Sequence, residues 1–221
     1  MQRIPEPELM TRQDQAEAYA RANFEAPHSR FIELFRTSFP SWPGHGVALD
    51  LGCGPGDIAR RFALAYPHCH VDGIDGARAM LEAGREDIAS DDRICQRVHL
   101  IEANLPFARA PRDRYDAIIS NSLLHHLHDP FVLWNAVKEY ANSGAPVFVV
   151  DLMRPGTRDE ASELTRIYAG EEPEVLRHDF FHSLLASFTV DEVRSQLAAA
   201  QLPHLRAESI SDRHLMVAGT F

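Results

Sequence analysis

The sequence predicts an α/β fold: a mostly parallel sheet with helices on both faces, closed by a C-terminal antiparallel hairpin. Three observations predict it. Between Val47 and Leu152, short continuous apolar runs alternate with amphipathic segments, as strands buried on both faces and their covering helices do. A turn rich in glycine, "GCGPG", follows the first apolar run directly. The last two runs, "HLRAESI" and "HLMVAGTF", are joined by Ser211-Asp212-Arg213 alone, a connection that allows only antiparallel pairing.

Residues 1–45 read as an N-terminal helical lid segment. Within it lie "RQDQAEAYARANF" and "SRFIELFRTSF", and Phe31, Leu34 and Phe35 fall on one helical stripe that must dock on a partner. The proline-rich joint "FPSWPGHG", Phe39 to Gly46, separates this segment from the main domain, 46–221. There follow strand "VALDL", helix "DIARRFALAY", strand "HVDGID", helix "ARAMLEAGREDI" and strands "VHLIEA" and "YDAIIS". Helix "FVLWNAVKEYA" is opened by Asp129-Pro130, an amide acceptor followed by a first-turn proline, and leads to strand "APVFVVDL". Residues 153–188 are less regular and helical in parts, the expected wall of a substrate site. Thr189 and Glu192 then form a capping box that starts "VDEVRSQLAAAQL".

At 221 residues, 45% hydrophobic and 24% charged, the chain suits one globular domain. A net charge of −10 without a long basic run disfavours nucleic acid as a partner. No apolar span of membrane length and no basic, apolar leader is present, so a cytoplasmic protein with no membrane partner is expected. Cys53, Cys69 and Cys95 match neither a disulfide framework nor a clustered metal spacing. Nothing in the sequence fixes the oligomeric state.

The glycine turn carries the chemistry. Gly52, Gly54 and Gly56 bring bare backbone to a ligand, and the next helix aims its N-terminus there. The dinucleotide fingerprint G-x-G-x-x-G fits poorly, because the third glycine comes one position early and Asp57 stands in its place. An aspartate at that helix end competes with a pyrophosphate. Asp75 closes the second strand about 20 residues on, where a carboxylate accepts ribose hydroxyls or caps the next helix. Ribose without pyrophosphate suggests S-adenosyl-L-methionine.

"ALDLGCGPGD", "VDGIDGARAML", "LIEANLPF", "YDAIISNSLLHHLHDP" and "VFVVDL" resemble, in order and spacing, the class I S-adenosylmethionine-dependent methyltransferases of small-molecule type. The resemblance spans Val47 to Leu152 and implies a Rossmann-like, seven-stranded sheet whose last strand is inserted antiparallel. It implies that Asp50, Gly52, Gly54 and the Cys53 backbone line the methionine part of S-adenosyl-L-methionine. Asp75 would hold the ribose, Gly76 and Met80 would flank the adenine, and Asn104 with Leu105 would meet the adenine edge and ring. Asn121 and Ser122 would lie beside the transferring methyl. The expected activity is in-line methyl transfer to a small molecule, needing no metal. An NAD(P)-dependent oxidoreductase and a non-catalytic S-adenosylmethionine-binding protein are the competing readings.

His126, in "LLHHLHD" on the sheet rim, is a candidate catalytic group, either touching the acceptor or setting the site. A metal held by His125, His126, His128 and Asp129 is not expected, because adjacent histidines do not converge on one ion without an irregular backbone. Tyr19 either covers the cofactor or packs its helix. Phe180, Phe181 and His182 either clamp the acceptor, with His182 a second candidate base, or form core. Asp151 and Arg154 face the pocket or pair with each other.

Overall fold

The computed structural model describes residues 1–6, 24–106 and 110–221. Tyr19 and most of the first expected N-terminal helix lie outside these residues. The elements run α1 (Glu25–Ser38), β1 (His45–Leu51), α2 (Asp57–Ala65), β2 (His68–Asp75), α3 (Arg78–Ser90), β3 (Val98–Glu102), β4 (Ala117–Asn121), α4 (Phe131–Tyr140), β5 (Pro146–Leu152), α5 (Arg158–Ala169), α6 (Glu174–Ala186), α7 (Val190–Ala199), β6 (Arg206–Ser209) and β7 (His214–Thr220).

The seven strands form one sheet in the order β3-β2-β1-β4-β5-β7-β6. Strands β1 to β5 pair in parallel, whereas β7 runs antiparallel between β5 and β6. The expected fold class is thus the observed one. The chain proceeds outward from β1 to β3, then returns to β4 on the other side of β1. That reversal is a topological switch point, where open α/β sheets leave a crevice at the carboxyl ends of their strands. Register fixes what faces the crevice: Leu51 pairs with Ile74, Asp50 with Ile119 and Asn121 with Val150.

Each face of the sheet has its own core. On one face Trp134 of α4 is fully buried, with its indole N–H donating to Gln196 of α7 at 3.0 Å. On the other, Phe31 and Phe35 of α1 pack with Phe62 of α2 and Phe148 of β5, with ring centroids 4.9–5.5 Å apart and near edge-to-face. The helix expected to act as lid is therefore also part of this core. Asp129 accepts the Phe131 amide at 2.9 Å, so it caps α4 one residue further out than expected, with Pro130 at the cap position. The Thr189–Glu192 capping box is formed reciprocally.

The stretch 153–188 folds as two helices, α5 and α6, packed through Ala161, Leu164, Leu184 and Leu185 against Leu152. This helical pair stands over the carboxyl end of β5. Residues 1–6 lie along it: the Ile4 amide donates to the Leu185 carbonyl at 3.0 Å.

Candidate active site

The loop after β1 is built on left-handed glycines, Gly52 at φ +72° and Gly54 at φ +53°. A Cβ at Gly52 would fall 2.7 Å from Leu123, whereas at Gly54 it would meet only the Met80 Cε, at 3.4 Å. Gly52 and Cys53 donate their amides to the Ile74 carbonyl, tying the loop to the end of β2. Asp75 completes the tie: its Oδ2 accepts the Gly54 amide at 2.8 Å and its Oδ1 the Ala77 amide at 2.7 Å. Asp75 thus serves the backbone ahead of α3. Each oxygen keeps a second lone pair for a diol, since an ionised carboxylate has about four acceptor sites. Burial raises its pKa, opposed by those amide bonds.

Asp50 lies beneath the loop, 1% exposed. Its Oδ2 has no hydrogen-bond partner among the described residues. Burial, followed by the nearby Asp75, pushes its pKa up to about 8. A buried carboxylate left without a donor calls for a cation. The α-ammonium group of a methionine moiety would supply one, so the residues present fit S-adenosyl-L-methionine.

These groups open into one cavity of about 750 Å³. Asp50, Gly52, Cys53, Gly54, Asp75, Gly76, Met80, Asn104, Leu105, Asn121 and Ser122 all line it, as does His126. Every cofactor residue that the motifs single out is thus brought to one space. Ser122 has φ +57°, a left-handed conformation that costs energy outside glycine and is often found at functional sites. The far wall comes from α1, from α5 and α6 through Tyr168, Leu176 and Phe180, and from the turn before β7.

His182 is not brought to this wall. It stacks on His178 with ring centroids 4.3 Å apart, and burial followed by His178 lowers its pKa. Phe180 reaches the cavity and Phe181 does not; both pack against the α5–α6 core. Asp151 and Arg154 do not pair with each other. Asp151 binds His125 Nδ1 at 2.5 Å and accepts the amides of Leu124 and Leu152. Arg154 donates to the Ser187 carbonyl and to Glu192.

Three groups at the site are ones that the sequence does not single out. Glu6, on the N-terminal segment, accepts the Ser183 hydroxyl at 2.9 Å and approaches His126 Nδ1 at 3.3 Å. His214 lines the cavity, and burial lowers its pKa to about 4, so its ring is neutral. His28 lines it too and lies 2.6 Å from Asp57. It sits three residues before Phe31 and so shares the apolar stripe of α1, the one available hint. Asp57 is also bonded by Arg60 and Arg61. Burial works to raise its pKa, but the His28 and Arg61 bonds outweigh that and hold it well below the usual carboxylate range. A carboxylate kept ionised at the α2 N-terminus opposes a pyrophosphate there.

Known proteins resemble this chain in sequence and in fold. A methyltransferase-domain family profile matches residues 49–147. An uncharacterised methyltransferase of Mycobacterium tuberculosis is 26% identical over 160 residues, 71% of this chain and 78% of that protein. Trans-aconitate 2-methyltransferase of Paracidovorax citrulli is 29% identical over 131 residues, 57% of this chain and 45% of that protein. The fold is shared with a plantazolicin methyltransferase crystallised with a pentazolic desmethyl analogue and S-adenosylhomocysteine, at TM-score 0.70 and 15% identity, covering 95% of this chain and 91% of that one. Motifs, sheet order and relatives thus agree in making this chain similar to the class I S-adenosylmethionine-dependent methyltransferases, with the methyltransferase domain matched over residues 49–147.

Proposed function

We propose that the protein moves a methyl group from S-adenosyl-L-methionine to a small acceptor seated between Asn121, Ser122, His126 and the wall of α1, α5 and α6. The observation that carries this reading is the single cavity. At about 750 Å³ it lies in the upper part of the range for small-ligand pockets, roughly 300–1,000 Å³, which leaves room for cofactor and acceptor side by side. Asp50 answers the methionine ammonium, Asp75 the ribose diol, and Met80, Asn104 and Leu105 the adenine.

The sulfonium supplies an electrophilic methyl group. The chain contributes alignment of the acceptor in line with it and exclusion of water, which together account for much of the acceleration in such displacements. His126 sets the acceptor end. Phe24 and Phe180 give the cavity an apolar, aromatic lining, suited to an organic acceptor with a flat or apolar body. Three unpaired cysteines accord with a reducing, cytoplasmic setting. Among the described residues no helix is long and apolar enough to cross a membrane.

The test is incubation with methyl-labelled cofactor and fractionated small metabolites. Label should pass to a discrete small molecule, and Asp75→Ala should abolish transfer by weakening cofactor binding at least tenfold. Label found only in macromolecules, or full transfer by Asp75→Ala, would overturn the assignment.

A further inference from the structure

We propose that Glu6, His125 and His126 form a site for a divalent transition-metal ion of the zinc type at the acceptor end of the cavity. The three side chains offer one donor atom each, and these atoms lie within 4.8 Å of one another. Glu6 Oε1 is 3.6 Å from His125 Nε2 and 3.3 Å from His126 Nδ1. Tetrahedral ligands at zinc distances of ~2.0–2.1 Å stand ~3.3 Å apart. The cluster therefore needs little rearrangement to close on an ion. Two imidazoles with one carboxylate favour zinc-type ions over magnesium or calcium, which prefer oxygen.

The backbone objection to neighbouring histidines does not hold here. Ser122 is left-handed at φ +57°, and the chain beyond it runs in tight turns, His126 N–H to Leu123 C=O and Leu127 N–H to Leu124 C=O. The two imidazole rings lie side by side with centroids 4.2 Å apart and planes at 36°, so both reach the same carboxylate. The supporting contacts are those of a built site. Asp151 holds His125 Nδ1 at 2.5 Å, which directs Nε2 toward Glu6, and outer-shell carboxylates of this kind orient metal-binding histidines. Ser183 orients the Glu6 carboxylate. The three ligand side chains are 3–14% exposed.

Three protein ligands leave a fourth position free, as in catalytic zinc sites. His125, His126 and Ser183 line the cavity, so that position is open to an acceptor oxygen, nitrogen or sulfur, which the ion would help deprotonate. This use of the site rests on the methyltransferase reading; the binding of the ion does not. The experiment separates the two, since it measures metal alone on the full chain.

Chelator-stripped protein is titrated with Zn²⁺ by calorimetry, and Co²⁺ binding is followed by visible absorption. One equivalent should bind. Affinity should fall at least tenfold in Glu6→Gln and in His126→Ala, and about 10–100-fold in Asp151→Asn. Co²⁺ should give the intense visible bands of a tetrahedral site in the wild type and lose them in Glu6→Gln and His126→Ala. Thermal protection by S-adenosylhomocysteine checks that each variant is folded. If His126→Ala is not, the near-isosteric Glu6→Gln decides. Absence of stoichiometric binding, or equal binding by wild type and Glu6→Gln, would overturn the proposal, the latter by assigning the ion to other histidines.

Discussion

A carboxylate that is 1% exposed and has one oxygen without a partner is costly to ionise, and Asp50 keeps that cost until a cation arrives. Its folded pKa of about 8 stands above the ordinary 3.8, so the folded state binds the proton more tightly than the unfolded chain. Its contribution to stability is therefore present in full below pH 3.8 and is lost as pH rises toward 8. Two outcomes are expected. Asp50→Asn should raise the Tm of the cofactor-free protein, with a gain that grows from pH 5 to pH 8. It should also weaken S-adenosylhomocysteine binding and remove the proton released on binding at pH 7, read from calorimetry in buffers of different ionisation enthalpy. A Tm difference that is flat with pH, or proton release that persists in the variant, would count against this role. The same logic explains why the motif aspartates differ: Asp75 has two amides to lean on, Asp57 has two guanidinium groups and the His28 ring, and Asp50 has neither.

Helix α1 shows how much an element can be read before its partners are known. The stripe of Phe31, Leu34 and Phe35 is visible as spacing, and Phe31 and Phe35 are at most 1% exposed on the sheet. Phe35 touches Phe39, Trp42, Phe62, Tyr66 and Phe148, so Phe35→Ala should cost about 3–5 kcal/mol in urea unfolding. Leu34→Ala, at the margin of this core, should cost clearly less. Equal losses would mean that the helix docks by general apolarity and not by these rings. The capping box at Thr189 and the strand runs were legible for the same reason as α1, since each is a local pattern. Helix α6 was not, because its buried residues, Leu176, Ser183, Leu184 and Leu185, make no clean stripe: the helix is covered by α5 on one side and by residues 1–6 on another. The site divides likewise. The glycine loop and Asp75 announce themselves through spacing, whereas Glu6 meets His126 only through tertiary folding, and Asp151 finds His125 across 26 positions.

At the scale of the whole molecule, the end of the cavity beside His125 and His126 is braced by chain segments that are far apart in sequence. Arg3 is the junction. Its guanidinium donates to the carbonyls of Ala186, His125 and Leu127 and lies 3.9 Å over the Phe188 ring. One side chain thus joins the end of the α5–α6 wall to the histidine turn after β4 and delivers Glu6 to both. These bonds all run from residue 3 to the 125–127 turn and to residue 186, so their loss should loosen one region and leave the cofactor side intact. Arg3→Ala should lower Tm by about 6–12 °C, at ~2–4 °C per kcal/mol for a chain of this size and ~1 kcal/mol for each of its three hydrogen bonds. Amide hydrogen exchange should quicken at residues 123–128 and 183–188, while the 52–57 loop keeps its protection and S-adenosylhomocysteine binds within about threefold of wild type, a change of under 1 kcal/mol. Acceleration spread evenly over the sheet would show that Arg3 supports global stability instead. No acceleration at either segment would show that the wall and the turn hold together without it.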